Sequence, residues 1–532
     1  MFNFRNGTAL ASRFSVGTML FWLVYGFSHL LAAWAASYEG HFAITLALIE
    51  GSNLLGIDDA YRFFLSKYAF TELDIYAWDY VLPVATLYYG TLTSLFNDAI
   101  FPVRAVTIIV SGFGYLLLLK SMLYFGIRRL HAYAALAIYM FMPVQIAMAM
   151  SFYGEPLLVV LTSTAIYLFA TQRPLALALV ASLLPLTRPE GIFILAPISL
   201  YLLIRRSYLP FLLSGTAGFI FLVFTLAHSD GNLSLLLDWR LEIRRVWSAF
   251  IMPNTYNTWG FVSTYNLFWV AVACAGFVLP VMRRLWPFSI GALAWLVYYV
   301  TLVNTGLSSY ESRYLCAIFP ALTLSLASAF SWFGKPSSQD HLRHIATPAC
   351  LVFAVLIITE HLFQLDPLKS RLPGQARWPV NTTPVIHPHF HHYSADDLQH
   401  MANSAVNINT LIGRYPEIDR ILIMDWTLLY FLDRKFVHSA VVPEFAPIPE
   451  RVTDVSTGGS FFTYSQYDRK FAYYTLLSPD DPQRDGVALY LGDLNTQYLL
   501  PSYEEGVHRV HVIGYRRSYT PNWRLDGKIN IE

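Results

Sequence analysis

Between residues 15 and 362 the sequence is a train of long apolar segments separated by short polar breaks, and that pattern admits few folds. The core of a bilayer offers no water to the backbone, so a crossing segment must be a helix or part of a closed barrel. A helix crosses with about 20 mainly apolar residues. Eleven segments approach that length: 15–36, 103–125, 131–149, 156–171, 174–188, 191–204, 208–228, 265–282, 286–304, 314–333 and 345–362. Composition agrees, since 55% of the 532 residues are hydrophobic and only 13% are charged. A soluble domain carries about 25% charged residues. The expectation is a membrane all-α bundle over residues 1–363.

Basic residues orient the bundle. Arg5 and Arg13 precede the first span, and Arg128 and Arg129 follow the second. Arg173 follows the fourth, Arg205 and Arg206 the sixth, Arg283 and Arg284 the eighth, and Lys335 and Arg343 the tenth. With this span count every one of these loops falls on one side, which the positive-inside rule makes the cytoplasm. Segment 81–97 is apolar enough to cross as well. A crossing there would carry Arg128, Arg129 and the later basic loops to the outside, so 81–97 is read as an interfacial or re-entrant helix on the outer face. The N-terminal apolar run is long and lacks a small-residue cleavage site, so it is expected to remain as the first span. Residues 364–532 are more polar and fall outside. Ala395–Leu411 has helical spacing, while Arg420–Met424, Gly486–Leu491 and Val507–Tyr515 read as strands. That length suffices for an independent soluble mixed α/β domain.

Several function classes drop out. The net charge of +1 provides no field for nucleic acid, and none is expected as a partner. No Gly-rich phosphate loop or dinucleotide fingerprint occurs. Cys274, Cys316 and Cys350 lie in apolar segments and read as small buried hydrophobes. His387, His389, His391 and His392 cluster in the tail, but no Cys or acidic set completes a ligand pattern, so a surface loop is the default and no metal site is assigned. A transporter would carry ionisable residues at mid-span. Here they collect on the outer face instead.

That face holds four polar pieces. The long loop 37–102 contains Asp58-Asp59-Ala60-Tyr61, an acidic pair beside the membrane. The second piece joins the turn Phe152-Tyr153-Gly154-Glu155 with Thr187-Arg188-Pro189-Glu190-Gly191. The third, 229–264, carries an amphipathic pattern of Trp239, Ile243, Val246, Trp247 and Phe250. The fourth is Ser308-Ser309-Tyr310-Glu311-Ser312-Arg313-Tyr314. Tyr76, Trp78, Tyr80, Tyr88, Tyr89, Tyr256 and Trp259 suit either an interfacial belt or stacking on sugar rings. Trp78 and Trp259 are singled out for the latter.

In order and sidedness these motifs resemble the GT-C class of membrane glycosyltransferases, which use polyprenyl-phosphate sugars. The resemblance rests on Asp58-Asp59-Ala60-Tyr61, Arg104, Glu155, Arg188-Pro189-Glu190-Gly191 and Glu311-Ser312-Arg313-Tyr314, and covers about residues 15–335. The DDAY form, with Arg62 and Tyr68-Ala69 following, is similar to arabinofuranosyltransferases of cell-envelope synthesis. The resemblance implies a bacterial inner-membrane enzyme with its active site on the periplasmic side. It would move a pentose or hexose from a lipid-linked donor to a glycan, lipid or protein acceptor. It also implies an inverting displacement with Asp58 or Asp59 as base. Adjacent aspartates can chelate, so a divalent cation such as Mg²⁺ or Mn²⁺ stays open as a cofactor.

The chemistry asks for a base on the acceptor hydroxyl and cations on the lipid phosphate. Arg188 and Arg313 are the leading phosphate ligands, because a guanidinium offers a fixed fork of donors. Arg104 is either a third or a snorkelling anchor. Glu155 and Tyr61 are acceptor or sugar contacts; Glu155 can equally serve as a helix-dipole partner. For Glu190 and Glu311 a local ion pair with the neighbouring Arg is expected. The enzyme is expected to be a monomer among membrane lipids. A lipid-linked glycan ligase or polymerase shares this layout, and a lipid or sugar transporter is the more distant alternative.

Overall fold

A computed structural model describes residues 19, 21–27, 29, 62–63, 65–67, 69–70, 76, 83–97, 100–149, 151–228, 268–304, 312–333, 340–364, 418–423, 439–441, 485–491, 503–505 and 508–516. Asp58, Asp59, Tyr61, Trp78, Trp259, the amphipathic stretch of 229–264, the histidine cluster and the helix expected at 395–411 lie outside the described residues, as does the side chain of Arg313.

The chain divides into two compact units. The first comprises Met1–Tyr38, Arg104–Ile220 and Leu241–Pro388. The second comprises Glu39–Val103, Phe221–Arg240 and His389–Glu532.

The helices run in chain order as α1 Pro83–Leu95, α2 Ile100–Tyr124, α3 Arg129–Met140, α4 Pro143–Ala149, α5 Glu155–Ala170, α6 Pro174–Thr187 and α7 Ile192–Ile204. Then follow α8 Tyr208–Leu213, α9 Thr216–His228, α10 Phe268–Gly276, α11 Pro280–Arg284, α12 Trp286–Asn304, α13 Phe319–Phe333 and α14 Asp340–Gln364. Two 3₁₀ turns, Pro189–Gly191 and Ser312–Ala317, precede α7 and α13. Among the described residues one helix, Pro102–Tyr124, has both the length and the hydropathy to cross a bilayer. Shorter apolar helices include Glu155–Ala170, Pro174–Thr187 and Phe319–Phe333.

Three expected spans are broken. Segment 131–149 divides into α3 and α4 at Pro143, because a proline disfavours the helical conformation in the residue before it. Segment 265–282 divides likewise at Leu279, which is extended before Pro280. Segment 208–228 divides at Ser214, whose hydroxyl donates back to the Phe211 carbonyl at 2.6 Å and so competes with the backbone ladder.

Helix α13 is the centre of the first unit and is buried from Phe319 to Ser331. Small residues let its neighbours approach closely, as helices in lipid require. The Ser325 hydroxyl donates to the Ala273 carbonyl of α10 at 2.5 Å, and a Cβ on Gly276 would lie only 2.5 Å from that hydroxyl. Outward faces are apolar instead of polar: Phe113, Leu200, Phe219, Ile220, Val297, Val355 and Leu356 are exposed. Such a surface is a liability in water and a match for acyl chains.

The second unit contains a five-stranded sheet of order β2-β1-β3-β5-β4. Its strands are β1 Ile418–Ile423, β2 Ser439–Val441, β3 Asp485–Leu491, β4 Tyr503–Glu505 and β5 His508–Arg516. β1 pairs in parallel with β2 and β3, while β5 runs antiparallel to β3 and β4. β1, β3 and β5 overlap the three strands expected from the sequence.

Also in the second unit, residues 62–63 and 65–67 are helical just after the Asp pair. Phe63, Leu65, Ser66 and Ala69 are buried. Gly90 of α1 meets Ala69 so closely that a Cβ there would sit at 2.3 Å. The Tyr76 hydroxyl donates to the Ala69 carbonyl at 2.9 Å, with its ring edge-on to Phe224. Tyr76 is therefore a tie within the fold, not a sugar-stacking surface. Burial pushes its hydroxyl up to about 12.

Candidate functional site

Proline and glycine shape the motif Arg188-Pro189-Glu190-Gly191. Arg188 precedes Pro189 and is driven to an extended conformation (φ −159°, ψ 142°), which ends α6 and throws its side chain off the helix axis. Gly191 then packs against the end of α6. A Cβ there would lie 2.3 Å from the Leu184 carbonyl carbon, so no larger residue fits without a shift. The 3₁₀ turn between them carries Glu190 back toward Arg188.

The result is a buried ion triad. Arg188 Nε and Nη2 donate to the two Glu190 oxygens at 3.0 and 2.8 Å, a bidentate fork. Its Nη1 donates to Glu155 Oε1 at 2.6 Å. Glu155 is fully buried, and Arg188 and Glu190 are each 8% exposed. Glu155 stands in the first turn of α5, where the helix dipole favours a carboxylate. Its second oxygen, Oε2, has no hydrogen-bond partner among the described residues.

One further segment meets the triad, and another meets the turn that carries Glu155. The Tyr314 ring lies 5.3 Å from the Arg188 guanidinium and is the residue next to Arg313. Its carbonyl accepts from Trp295 Nε1 of α12 at 2.8 Å, which pins the 3₁₀ turn. Arg104 of α2 is 1% exposed, and its guanidinium lies 5.5 Å from the Phe152 ring. Phe152 belongs to the turn that ends in Glu155. That turn is held by Ser151, whose hydroxyl donates to the Met148 carbonyl at 2.8 Å and accepts from the Tyr153 amide at 3.3 Å.

Four stretches distant in sequence thus meet around one turn: Arg104, residues 151–155, residues 188–191, and the turn holding Arg313 and Tyr314. Sequence reasoning named Arg104, Glu155, Arg188 and Arg313 separately. It did not pair Arg188 with Glu155, and it gave no role to Tyr314 or Trp295. Arg188, read as a phosphate ligand, has three of its five N–H donors engaged by carboxylates, leaving two for any further anion. The local ion pair expected for Glu190 is present. No group of three or more His, Cys, Asp or Glu placed to hold a metal occurs among the described residues.

No protein-family profile matches the sequence. No curated protein matches it either. Solved structures do. ArnT from Cupriavidus metallidurans, in a crystal structure bound to undecaprenyl phosphate, aligns with a TM-score of 0.54 at 12% identity, over 93% of this chain and 98% of that one. Its apo structure aligns at 0.50 and 14% identity, over 96% and 100%. The chain therefore shares the fold of ArnT, in line with the fold that the resemblance to the GT-C class implies. An oligosaccharyltransferase from Archaeoglobus fulgidus aligns more loosely, at a TM-score of 0.47 and 12% identity over 89% of this chain and 69% of that one, and adds nothing to the assignment. Within this fold, the triad is a polar centre among apolar helices.

Proposed function

We propose that this chain is a glycosyltransferase that moves a sugar from a polyprenyl-phosphate donor to a cell-envelope glycan, lipid or protein acceptor at the outer face of the membrane. The carrying observation is the convergence of Arg104, Glu155, Arg188 and the Arg313 turn at one end of a bundle whose fold aligns along nearly its whole length with a protein bound to undecaprenyl phosphate. In this reading eleven spans set the candidate site and the tail of 364–532 on the periplasmic side of a bacterial inner membrane, and the enzyme works as a monomer.

Asp58 or Asp59 takes the proton from the acceptor hydroxyl. The hydroxyl oxygen attacks the anomeric carbon from the face opposite the donor phosphate. The carbon–oxygen bond to phosphate breaks, and polyprenyl phosphate leaves with the electron pair. Arg104, Arg313 and the two remaining donors of Arg188 meet the charge developing on the phosphate. The two glutamates of the triad hold that guanidinium in place, and the buried Glu155 Oε2, unpartnered among the described residues, is the oxygen assigned to an acceptor or sugar hydroxyl. Tyr61, Trp78 and Trp259 complete the sugar-facing set. The sugar is a pentose such as arabinofuranose or a hexose.

The test is transfer by protein reconstituted in liposomes with a panel of radiolabelled donors and native membrane extract as acceptor. Label is expected to move from polyprenyl-phosphate sugars and not from nucleotide sugars. Transfer of an intact glycan from a lipid-linked oligosaccharide would establish the ligase reading instead. Donor movement across the bilayer without transfer would establish a transporter.

A further inference from the structure

Helices α5 and α6 carry Glu155 and Arg188 at one end and a second polar site at the other. With 16 residues, α5 separates the two by about 24 Å. There a cavity of about 220 Å³ opens between the turns of residues 171–174 and 205–208. Gln172, Arg173, Tyr201, Arg205 and Ser207 line it, above Phe169 and Leu177.

The two turns are built alike. At the end of α5, Gln172 is left-handed (φ 57°); its amide donates to the Phe169 carbonyl at 3.2 Å and the Arg173 amide to Leu168 at 3.0 Å. At the end of α7, Arg206 is left-handed (φ 57°); its amide donates to Leu203 and the Ser207 amide to Leu202, both at 2.9 Å. This double bond pattern caps the last carbonyls and reverses the chain. Glycine favours that conformation, yet neither turn uses it. Arg205 is set over the Tyr201 ring at 5.6 Å, and Tyr201 rests on Phe169 and Trp286. Among the described residues no carboxylate pairs with Arg173 or Arg205.

Two arginines with no acidic partner among the described residues, a hydroxyl and an aromatic floor define an anion site. Guanidinium forks match phosphate oxygens in pairs. The volume is below the roughly 300–1,000 Å³ of pockets for drug-sized ligands, so a headgroup fits and a nucleotide does not. Leu175, Leu203, Ile204 and Leu209 are exposed beside it, a surface for acyl chains. Both turns belong to the basic loops that the positive-inside rule assigns to the cytoplasm.

We propose that this cavity binds a phosphate group, carried by an anionic lipid headgroup, on the membrane face opposite the candidate active site. The proposal does not depend on which reaction that site performs. The test compares purified wild type with Arg173→Gln/Arg205→Gln by native mass spectrometry and thermal shift. The probes are phosphatidylglycerol, phosphatidylcholine and inorganic phosphate. Wild type is expected to retain phosphatidylglycerol over phosphatidylcholine, with affinity falling about five-fold per arginine and about thirty-fold in the double variant. Sugar transfer and the unliganded melting temperature of the variant stay near wild type. If the double variant does not fold, Arg205→Gln alone is read against the five-fold expectation. Protection by inorganic phosphate equal to that by lipid, lost in the variant, would assign the same phosphate site to a soluble ligand. Phosphatidylglycerol affinity unchanged by the substitutions would overturn the proposal.

Discussion

Replacing Arg188 with methionine removes the cation that bridges two buried carboxylates. Arg188 donates three hydrogen bonds, at 2.6, 2.8 and 3.0 Å. Each charge-assisted bond is worth about 1.5–3 kcal/mol taken singly. Their sum overstates the effect, because the ions were desolvated to make them. Removing one partner of a buried pair costs about 3–5 kcal/mol, and Arg188 is too little exposed for solvent to discount this much. At about 2 °C per kcal/mol for a large unit, Arg188→Met should lower the melting temperature in detergent by about 6–10 °C. The triple variant Arg188→Met/Glu155→Gln/Glu190→Gln removes all three charges of the triad. It should regain more than half of that loss, since the penalty lies in the uncompensated carboxylates. Transfer should stay low in the triple variant, because the guanidinium proposed to meet the donor phosphate is gone. A single variant that melts within about 2 °C of wild type would refute the reasoning. So would a triple variant that melts as low as the single.

Other perturbations give separate readings. Gly191→Ala must displace the Leu184 carbonyl, at a cost of about 1–3 kcal/mol read as a lower melting temperature, and transfer should fall with it as Arg188 and Glu190 shift. Gly276→Ala should cost a similar 1–3 kcal/mol or so through its contact with Ser325, while leaving the donor specificity of transfer unchanged. Tyr76→Phe should cost about 0.5–1.5 kcal/mol near neutral pH. The Tyr76 hydroxyl is raised from 10.0 to about 12, so its protonated form is favoured by the fold. Its contribution is full below about pH 10 and is lost as pH rises through about 12. Unfolding measured across that window should lose this component in the Phe variant.

The bundle was legible because apolar runs in lipid have few alternatives. The strands around Ile421, Leu489 and Val512 were legible because short β-branched and apolar runs lie between turn residues. The breaks at Met142 and Leu279 are signalled by the prolines that follow, but the continuous apolar run around them hides that signal in the sequence. At the candidate site, Glu190 lies two residues from Arg188, so their pairing could be read locally. Glu155 lies 33 residues away, and no spacing rule links the two across a helix hairpin. Trp295 carried no signal at all, since an aromatic inside an apolar span is ordinary. Tyr314 stood inside a recognised motif, but only the fold shows its ring against Arg188.

The central claim is that an aspartate of the Asp58–Asp59 pair is the base for sugar transfer. The most direct measurement is the transfer rate of Asp58→Asn and Asp59→Asn from the accepted polyprenyl-phosphate donor, with melting temperature and donor binding measured on the same preparations. A general base contributes about 10²–10⁴-fold, so one of the two variants should lose at least about 100-fold in rate while its stability and donor affinity hold. Both variants turning over near the wild-type rate would contradict the mechanism.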